Sequence, residues 1–182
     1  ICGPTGQALK EAEFARRQGY HVGLLSLAAL KQADVPGLIA HCRAVAEVIP
    51  IFGFYLQPAV GGRLLPYAFW REFAQIPNVI GIKMAPFNRY QTFDVIRGVA
   101  ESGRADEISL YTGNDDNIVL DLLTEYKIRT GAGEKRLRIV GGLLGHWAAW
   151  THQAVALLER CHQLTDNGAP IPPEVLTLAQ EV

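Results

Sequence analysis

The chain has 182 residues, 17 Lys plus Arg against 18 Asp plus Glu, a formal net charge of -1, and 49% apolar against 19% charged residues. That balance builds a core, whereas disorder needs fewer apolar residues and a larger net charge. A near-neutral chain without a basic cluster makes no electrostatic case for nucleic acid or an anionic membrane, and no apolar run approaches the roughly 20 residues of a membrane-spanning helix.

In chain order, residues 1–6 read as the tail of a strand and residues 7–18 as a helix stopped at Gly19. Residues 20–27 (YHVGLLSL) form a short apolar run, the pattern of a buried strand. Asp34 caps a helix to about residue 47, whose Leu38, Ile39, Cys42, Val45 and Ala46 make one face. Residues 48–55 (VIPIFGFY) are the next strand, followed by a helix over about 66–75. A third strand, 79–84 (VIGIKM), precedes a helix over 89–102 with Phe93, Ile96, Val99 and Ala100 on one side and Gly103 as its stop. Residues 107–112 (EISLYT) are the fourth strand. Its helix starts at Asp115 or Asp116 and buries Ile118, Val119, Leu122 and Leu123. Residues 127–136 (KIRTGAGEKR) read as a flexible insertion. They lead to a fifth strand, 137–143, and a helix over 146–162.

Strands alternating with helices through short connections imply a parallel sheet, because each right-handed crossover uses a helix. Strands apolar on both faces fit a sheet covered on both sides. Two architectures remain: an open doubly wound sheet, or a (β/α)8 TIM barrel. About six βα units are visible and a whole barrel takes roughly 250 residues, so a barrel here would be incomplete. No linker, repeat or low-complexity stretch divides residues 1–182, which read as one domain or part of one. The opening Ile-Cys-Gly-Pro has no initiator Met and no signal-peptide pattern, and looks like the middle of something longer. Cys2, Cys42 and Cys161 are too few and scattered for a disulfide framework, so a reducing, cytoplasmic setting is expected.

Lys83 is the sharpest anomaly, since an ammonium inside an apolar strand is costly unless paired or neutral. Alternation puts Val79, Gly81 and Lys83 on one face, with Gly81 leaving space. A desolvated lysine has a lowered pKa and becomes nucleophilic towards carbonyls. The same position also suits a lysine paired with a carboxylate of a neighbouring strand. Tyr55 ends the preceding strand in a matching Gly-x-Tyr arrangement, which would bring phenol and ammonium to the same, C-terminal end of the sheet. A tyrosine there can shuttle protons, or can be an ordinary amphipathic strand end.

Thr112-Gly113-Asn114-Asp115-Asp116 and Gly141-Gly142-Leu143-Leu144-Gly145-His146 both close strands just before helices. Each suits either a ligand loop or a tight turn. Arg63, after Pro58 and Gly61-Gly62, is a candidate for holding a substrate carboxylate, or is a solvated loop charge. The aspartates lack calcium-loop spacing and the histidines lack zinc-ligand spacing, so no metal is expected. No P-loop ending and no G-x-G-x-x-G follows a strand, so no nucleotide cofactor is expected either.

The order Tyr55-Leu56-Gln57-Pro58, then Pro77-Asn78-Val79-Ile80-Gly81-Ile82-Lys83, then Thr112-Gly113-Asn114-Asp115 resembles the dihydrodipicolinate synthase / N-acetylneuraminate lyase superfamily, in a divergent branch. The resemblance covers nearly the whole chain. It implies a class I aldolase-type barrel, here about strands three to eight, with the two N-terminal βα units and the C-terminal helices missing. It further implies that Lys83 forms a Schiff base with a 2-oxo acid such as pyruvate, that Tyr55 relays protons, and that Gly113, Asn114, Gly142 and Leu143 line the pocket. No cofactor is implied, and relatives are commonly homo-oligomers. Leu56 replaces the Asn that usually follows the tyrosine, and Ser26-Leu27-Ala28-Ala29 carries no aromatic hydroxyl. These departures argue against dihydrodipicolinate synthesis itself. The expected activity is a lyase or aldolase on a 2-oxo acid. The alternatives are a dehydratase or hydrolase of a sugar acid using the same lysine, or an inactive barrel kept for binding or assembly.

Overall fold

In the computed structural model, which describes residues 1–168 and 170–181 with the side chain of His146 excepted, short strands alternate with helices from the first turn onward. Helix α1 (Thr5–Arg17) is followed by strand β1 (Gly23–Leu25) and helix α2 (Val35–Ala46). Asp34 starts α2 as expected: its carboxylate accepts from Gly37 N at 2.9 Å. Strand β2 (Ile51–Leu56) leads through a short 3-10 turn (Pro58–Val60) to α3 (Tyr67–Phe73). Strand β3 (Val79–Ala85) and α4 (Arg89–Glu101) follow, the latter capped by Asn88 through Gln91 N at 3.1 Å. Strand β4 (Ser109–Thr112) and α5 (Ile118–Leu123) complete the regular alternation.

The next segment departs from the expected insertion. Residues 127–136 lie in an antiparallel hairpin formed by β5 (Glu125–Thr130) and β6 (Gly133–Gly142), paired from Glu125–Arg138 to Thr130–Gly133. Tyr126 and Ile128 alternate with charged residues and are buried, which is what a half-covered strand requires. Beyond β6, the single helix expected over 146–162 is two: α6 (Gly145–Ala149) and α7 (Thr151–Asp166), broken at Trp150. A further helix, α8 (Pro173–Glu181), lay outside the sequence expectation.

The six strands form one sheet in the order β1-β2-β3-β4-β6-β5. All neighbours are parallel except the β5–β6 pair. Residues 1–6 contribute little to it. Ile1 alone pairs beyond β1, with Ile1 N donating to Leu24 O and Ser26 N to Ile1 O, before the chain turns into α1 at Thr5.

The two faces of this sheet differ. Ile51 and Tyr55 of β2, Ile82 and Met84 of β3, and Leu110 of β4 are at most 1% exposed. On that side Trp70, Phe69 and Phe73 of α3 pack on one another, and the Tyr55 ring lies 5.2 Å from the Trp70 ring. Burying each such aromatic contributes about 1.5–3 kcal/mol, which makes this layer the main source of stability. The opposite face carries Leu24, Phe52, Phe54, Lys83 and Tyr111, all only partly covered. At the N-terminal end of the strands, Arg104 donates to the carbonyls of Ala74, Ile76, Pro77 and Val79, closing the turn that feeds β3.

Candidate functional site

Lys83 lies in β3 in direct register with Phe54 of β2 and with Tyr111 of β4. Its Nζ sits 4.5 Å from the centre of the Phe54 ring, a cation–π position. Among the described residues no carboxylate or hydrogen-bond acceptor engages it, so the paired-lysine alternative does not hold there. Burial lowers its pKa below the usual lysine value, and the charge of Asp115 on the rim offsets part of that effect.

Glycines make the room. A side chain at Gly113 would put its Cβ 2.9 Å from Lys83 Cε, 3.0 Å from Ala85 Cβ and 3.2 Å from Leu143 O. Gly113 N donates to Met84 O and Leu143 N to Thr112 O, so the three strand ends are laced together directly above the lysine. A cavity of about 680 Å³ opens there, lined by Lys83, Tyr111, Gly141, Gly142, Leu143 and Trp147 among others. A second opening of about 840 Å³ lies between α7 and α8, where Trp150 and Leu178 line it, and shares Trp147 and Ala154 with the first.

The structure does not bring Tyr55 to Lys83. Both residues stand towards the C-terminal end of the sheet, as expected, but the Gly-x-Tyr and Gly-x-Lys motifs are out of register, since Gly53 pairs with Ile82 and Tyr55 with Met84. A one-residue irregularity at Ile51/Phe52 causes this shift. A slip of one position turns a side chain to the other face of a sheet. Tyr55 therefore points at α3, 1% exposed, its hydroxyl accepting from Leu65 N at 3.3 Å. Burial, the largest influence, raises its pKa. The phenol on the lysine's face is Tyr111, which sequence reasoning passed over; its place at i−1 to the Thr112-Gly113 turn was the available signal.

Two further expected ligand residues serve the rim. Arg63 donates to the carbonyls of Leu30 and Ala33, tying the loop after β2 to the loop after β1, so its terminal nitrogens are already engaged. Asn114 is 4% exposed. Its Nδ2 donates to Thr92 Oγ1 and Asp121 Oδ2, and its Oδ1 accepts from Phe87 N at 3.0 Å. Phe87 is the one non-glycine residue with positive φ (51°) among the described residues, a conformation costing on the order of 1–3 kcal/mol that this bond helps to hold.

Asp121, fully buried, is the hub of that network and was not foreseen. It accepts from Thr112 Oγ1 at 2.7 Å, Asn114 Nδ2 at 3.2 Å, Asn117 Nδ2 at 2.7 Å and Arg89 Nη1 at 3.1 Å. Four donors compensate for the desolvation of one carboxylate. The network fixes the turn carrying Gly113, against which the Lys83 side chain packs. Of the remaining expected residues, Gly142 and Leu143 line the cavity, with Leu143 40% exposed. The side chain of His146 lies outside the described residues. Among the described residues no cluster of three His, Cys, Asp or Glu is arranged to hold a metal ion. Nor is any helix among them long and apolar enough to cross a membrane.

A largely parallel sheet with helical crossovers, a lysine on its less covered face and glycine turns at its C-terminal rim fit an incomplete (β/α)8 barrel. No protein-family model matches the chain. It is 31% identical over 122 residues to a 4-hydroxy-tetrahydrodipicolinate synthase of Cyanothece sp., covering 65% of this chain and 39% of that protein. A synthase of the same name from Sulfurihydrogenibium sp. is 27% identical over 121 residues, with 65% and 39% covered. In structure, the chain is similar to dihydrodipicolinate synthase from Bacteroides thetaiotaomicron (TM-score 0.73, 16% identity, 99% of this chain and 53% of that one). It is also similar to a 2-keto-3-deoxygluconate aldolase variant of Sulfolobus solfataricus (TM-score 0.67, 14% identity, 98% and 53%). The chain is thus similar in part of its sequence, and in fold, to dihydrodipicolinate synthases. It spans about two fifths of the length of the curated relatives and about half of the solved structures.

Proposed function

We propose that this chain carries the Schiff-base part of a class I aldolase-type lyase site, with Lys83 as nucleophile and a 2-oxo acid such as pyruvate as substrate. The observation that carries the reading is the unpaired Lys83 amine, its pKa lowered by burial, set against Phe54 at the C-terminal end of a barrel strand. The neutral amine adds to the substrate's C2 carbonyl. The new N–C bond forms as the carbonyl electron pair moves to oxygen, which takes up a proton. Loss of that oxygen as water leaves a protonated iminium. This cation is an electron sink for the carbanion at C3, from which a C–C bond can break or form. The same iminium serves a sugar-acid dehydratase, in which the group that leaves is a hydroxyl instead of a carbon fragment.

The small-molecule substrate, homo-oligomeric assembly and reducing, cytoplasmic setting belong to the same proposal. Similarity to the synthases supports the first two, and three free cysteines support the last. The test is borohydride reduction of the full chain with pyruvate and a panel of other 2-oxo acids, read by intact mass and peptide mapping. A stable mass gain on Lys83, lost in Lys83→Ala, is the expected result. No adduct with any of them, in protein shown to be folded, overturns the reading and favours an inactive barrel.

A further inference from the structure

The Schiff-base reading names the end of the substrate that reacts and leaves the rest of it undefined. Resting on that reading, we propose that the 2-oxo acid carries an apolar alkyl or aryl group beyond C3, not a hydroxylated chain. Trp147 is the specificity-determining residue that limits the size of that group.

The cavity above Lys83 has room to spare and few partners for hydroxyls. Its volume of about 680 Å³ lies in the range of about 300–1,000 Å³ that takes drug-sized ligands, and pyruvate alone leaves most of it unfilled. Leu24, Val140, Leu143, Leu144, Val155 and Leu158 give it aliphatic walls, drawn from β1, β6, the turn after β6, and α7. Among the described residues, the polar side chains of the lining are those of Lys83, Tyr111 and Thr151. Lys83 and Tyr111 stand side by side in register, at the reacting end. The Thr151 hydroxyl is already engaged with the carbonyls of Trp147 and Ala148, at 3.1 and 2.9 Å. The backbone adds little. Gly113 N and Leu143 N donate to Met84 O and Thr112 O, and Val140 O meets His162 Nε2 at 3.0 Å. A hydroxyl carried into such a place gives up water without a replacement, whereas an alkyl or aryl group gains by leaving water.

Trp147 bounds this space. It is 9% exposed. A Cβ at Gly142 would stand 2.8 Å from its Cζ3 and 2.9 Å from its Cε3, so the benzo edge of the indole lies against the bare end of β6. Trp147 also lines the second opening of about 840 Å³, whose walls include Trp150, Leu157 and Leu178. The indole therefore stands between two apolar spaces, and its removal joins them.

Borohydride trapping on Lys83 in the full chain tests both statements. The probes are pyruvate, phenylpyruvate, the bulkier naphthylpyruvate, and a 2-oxo acid with hydroxyls on C4, C5 and C6. Each rate of adduct formation, read by mass at low acid concentration, is divided by that of the same acid with N-acetyl-lysine. This removes the intrinsic reactivity of the carbonyl. Phenylpyruvate is expected to exceed the hydroxylated acid by about 10-fold or more. In Trp147→Ala, the ratio of naphthylpyruvate to phenylpyruvate is expected to rise by about 10-fold. A merely structural loss would lower both rates together and leave that ratio unmoved. Trp147→Phe, which keeps an aromatic wall but shortens it, is expected to move the ratio the same way and less, and serves should the alanine variant fold poorly. A hydroxylated acid that reacts as fast as phenylpyruvate overturns the apolar assignment while the lysine reading stands. An unmoved ratio in folded Trp147 variants overturns the role of the indole. Absence of an adduct with every probe in the unaltered protein removes the lysine reading, and this inference with it.

Discussion

The two faces of β2 and β3 are built from alternate residues of the same strands and obey different rules. Towards the helices, Tyr55 and Met84 sit with Trp70 and Phe73 in a layer at most 1% exposed, where each aromatic touches others and Tyr55 has a backbone partner. On the other side, Lys83 and Tyr111 are partly covered and have no hydrogen-bond partner among the described residues, and glycines stand where side chains would crowd them. A close-packed layer gives stability through dispersion and burial. The polar groups of the open face are within reach of solvent, whereas the packed side buries even the Trp70 Nε1 without a hydrogen-bond partner among the described residues. The contrast assigns folding to one face and reaction to the other, a division that mutations can break.

The largest expected effect is on the packed side. Trp70→Ala removes a 1% exposed side chain in contact with Tyr55, Phe69 and Phe73, and should cost about 3–5 kcal/mol. Urea unfolding measures it. Lys83 trapping per folded molecule should change little. A folded Trp70→Ala protein that no longer traps pyruvate would mean that the faces are not separable.

Next comes the rim. Gly113→Val places a branched side chain where even a Cβ stands 2.9 Å from Lys83 Cε and 3.0 Å from Ala85 Cβ. Overpacking of this kind costs about 1–3 kcal/mol, and the displaced lysine arm should slow adduct formation by roughly 10-fold or more. Trapping kinetics on the folded fraction separate the two losses. A stability loss with unaltered trapping would show that the lysine does not depend on this turn.

The parallel strands could be read in advance because a sheet covered by helices makes short apolar runs, and Lys83 because an ammonium interrupts one of them. The β5–β6 hairpin was misread because Lys127, Arg129, Lys135 and Arg136 made it look solvated; the buried Tyr126 and Ile128 at period two were the overlooked signal. That Tyr55 and Lys83 share an end of the sheet was legible, but that they leave opposite faces was not. Alternation fixes faces within a strand, but the offset between strands depends on irregularities such as that at Ile51/Phe52, which no local pattern announces. Asp121 was missed because a carboxylate on a helix reads as solvent-facing until its four donors, three of them outside its own helix turn, are folded around it.

The smallest effect is the most direct test of what the open face costs. Lys83→Met shortens the side chain by one atom and deletes the charge. Burial is the largest influence on Lys83 and lowers its pKa, so the folded state binds that proton more weakly than the unfolded chain, whose lysine titrates near 10.5. Below the folded pKa both states are protonated and the penalty is fully present. As pH rises from there towards 10.5 the unfolded chain holds more protons, and stability climbs until the penalty is gone. The Phe54 ring and Asp115 favour the charge, but exposed cation–π contacts are worth only about 0.5–1 kcal/mol. Lys83→Met should therefore be more stable at neutral pH by up to about 1 kcal/mol, with the gap narrowing under alkaline conditions. Urea midpoints at pH 7 and pH 10 check both statements. A variant less stable than the unaltered protein at pH 7 would mean that the aromatic wall shelters the ammonium, and that the reactive face is held together by the residue proposed to react.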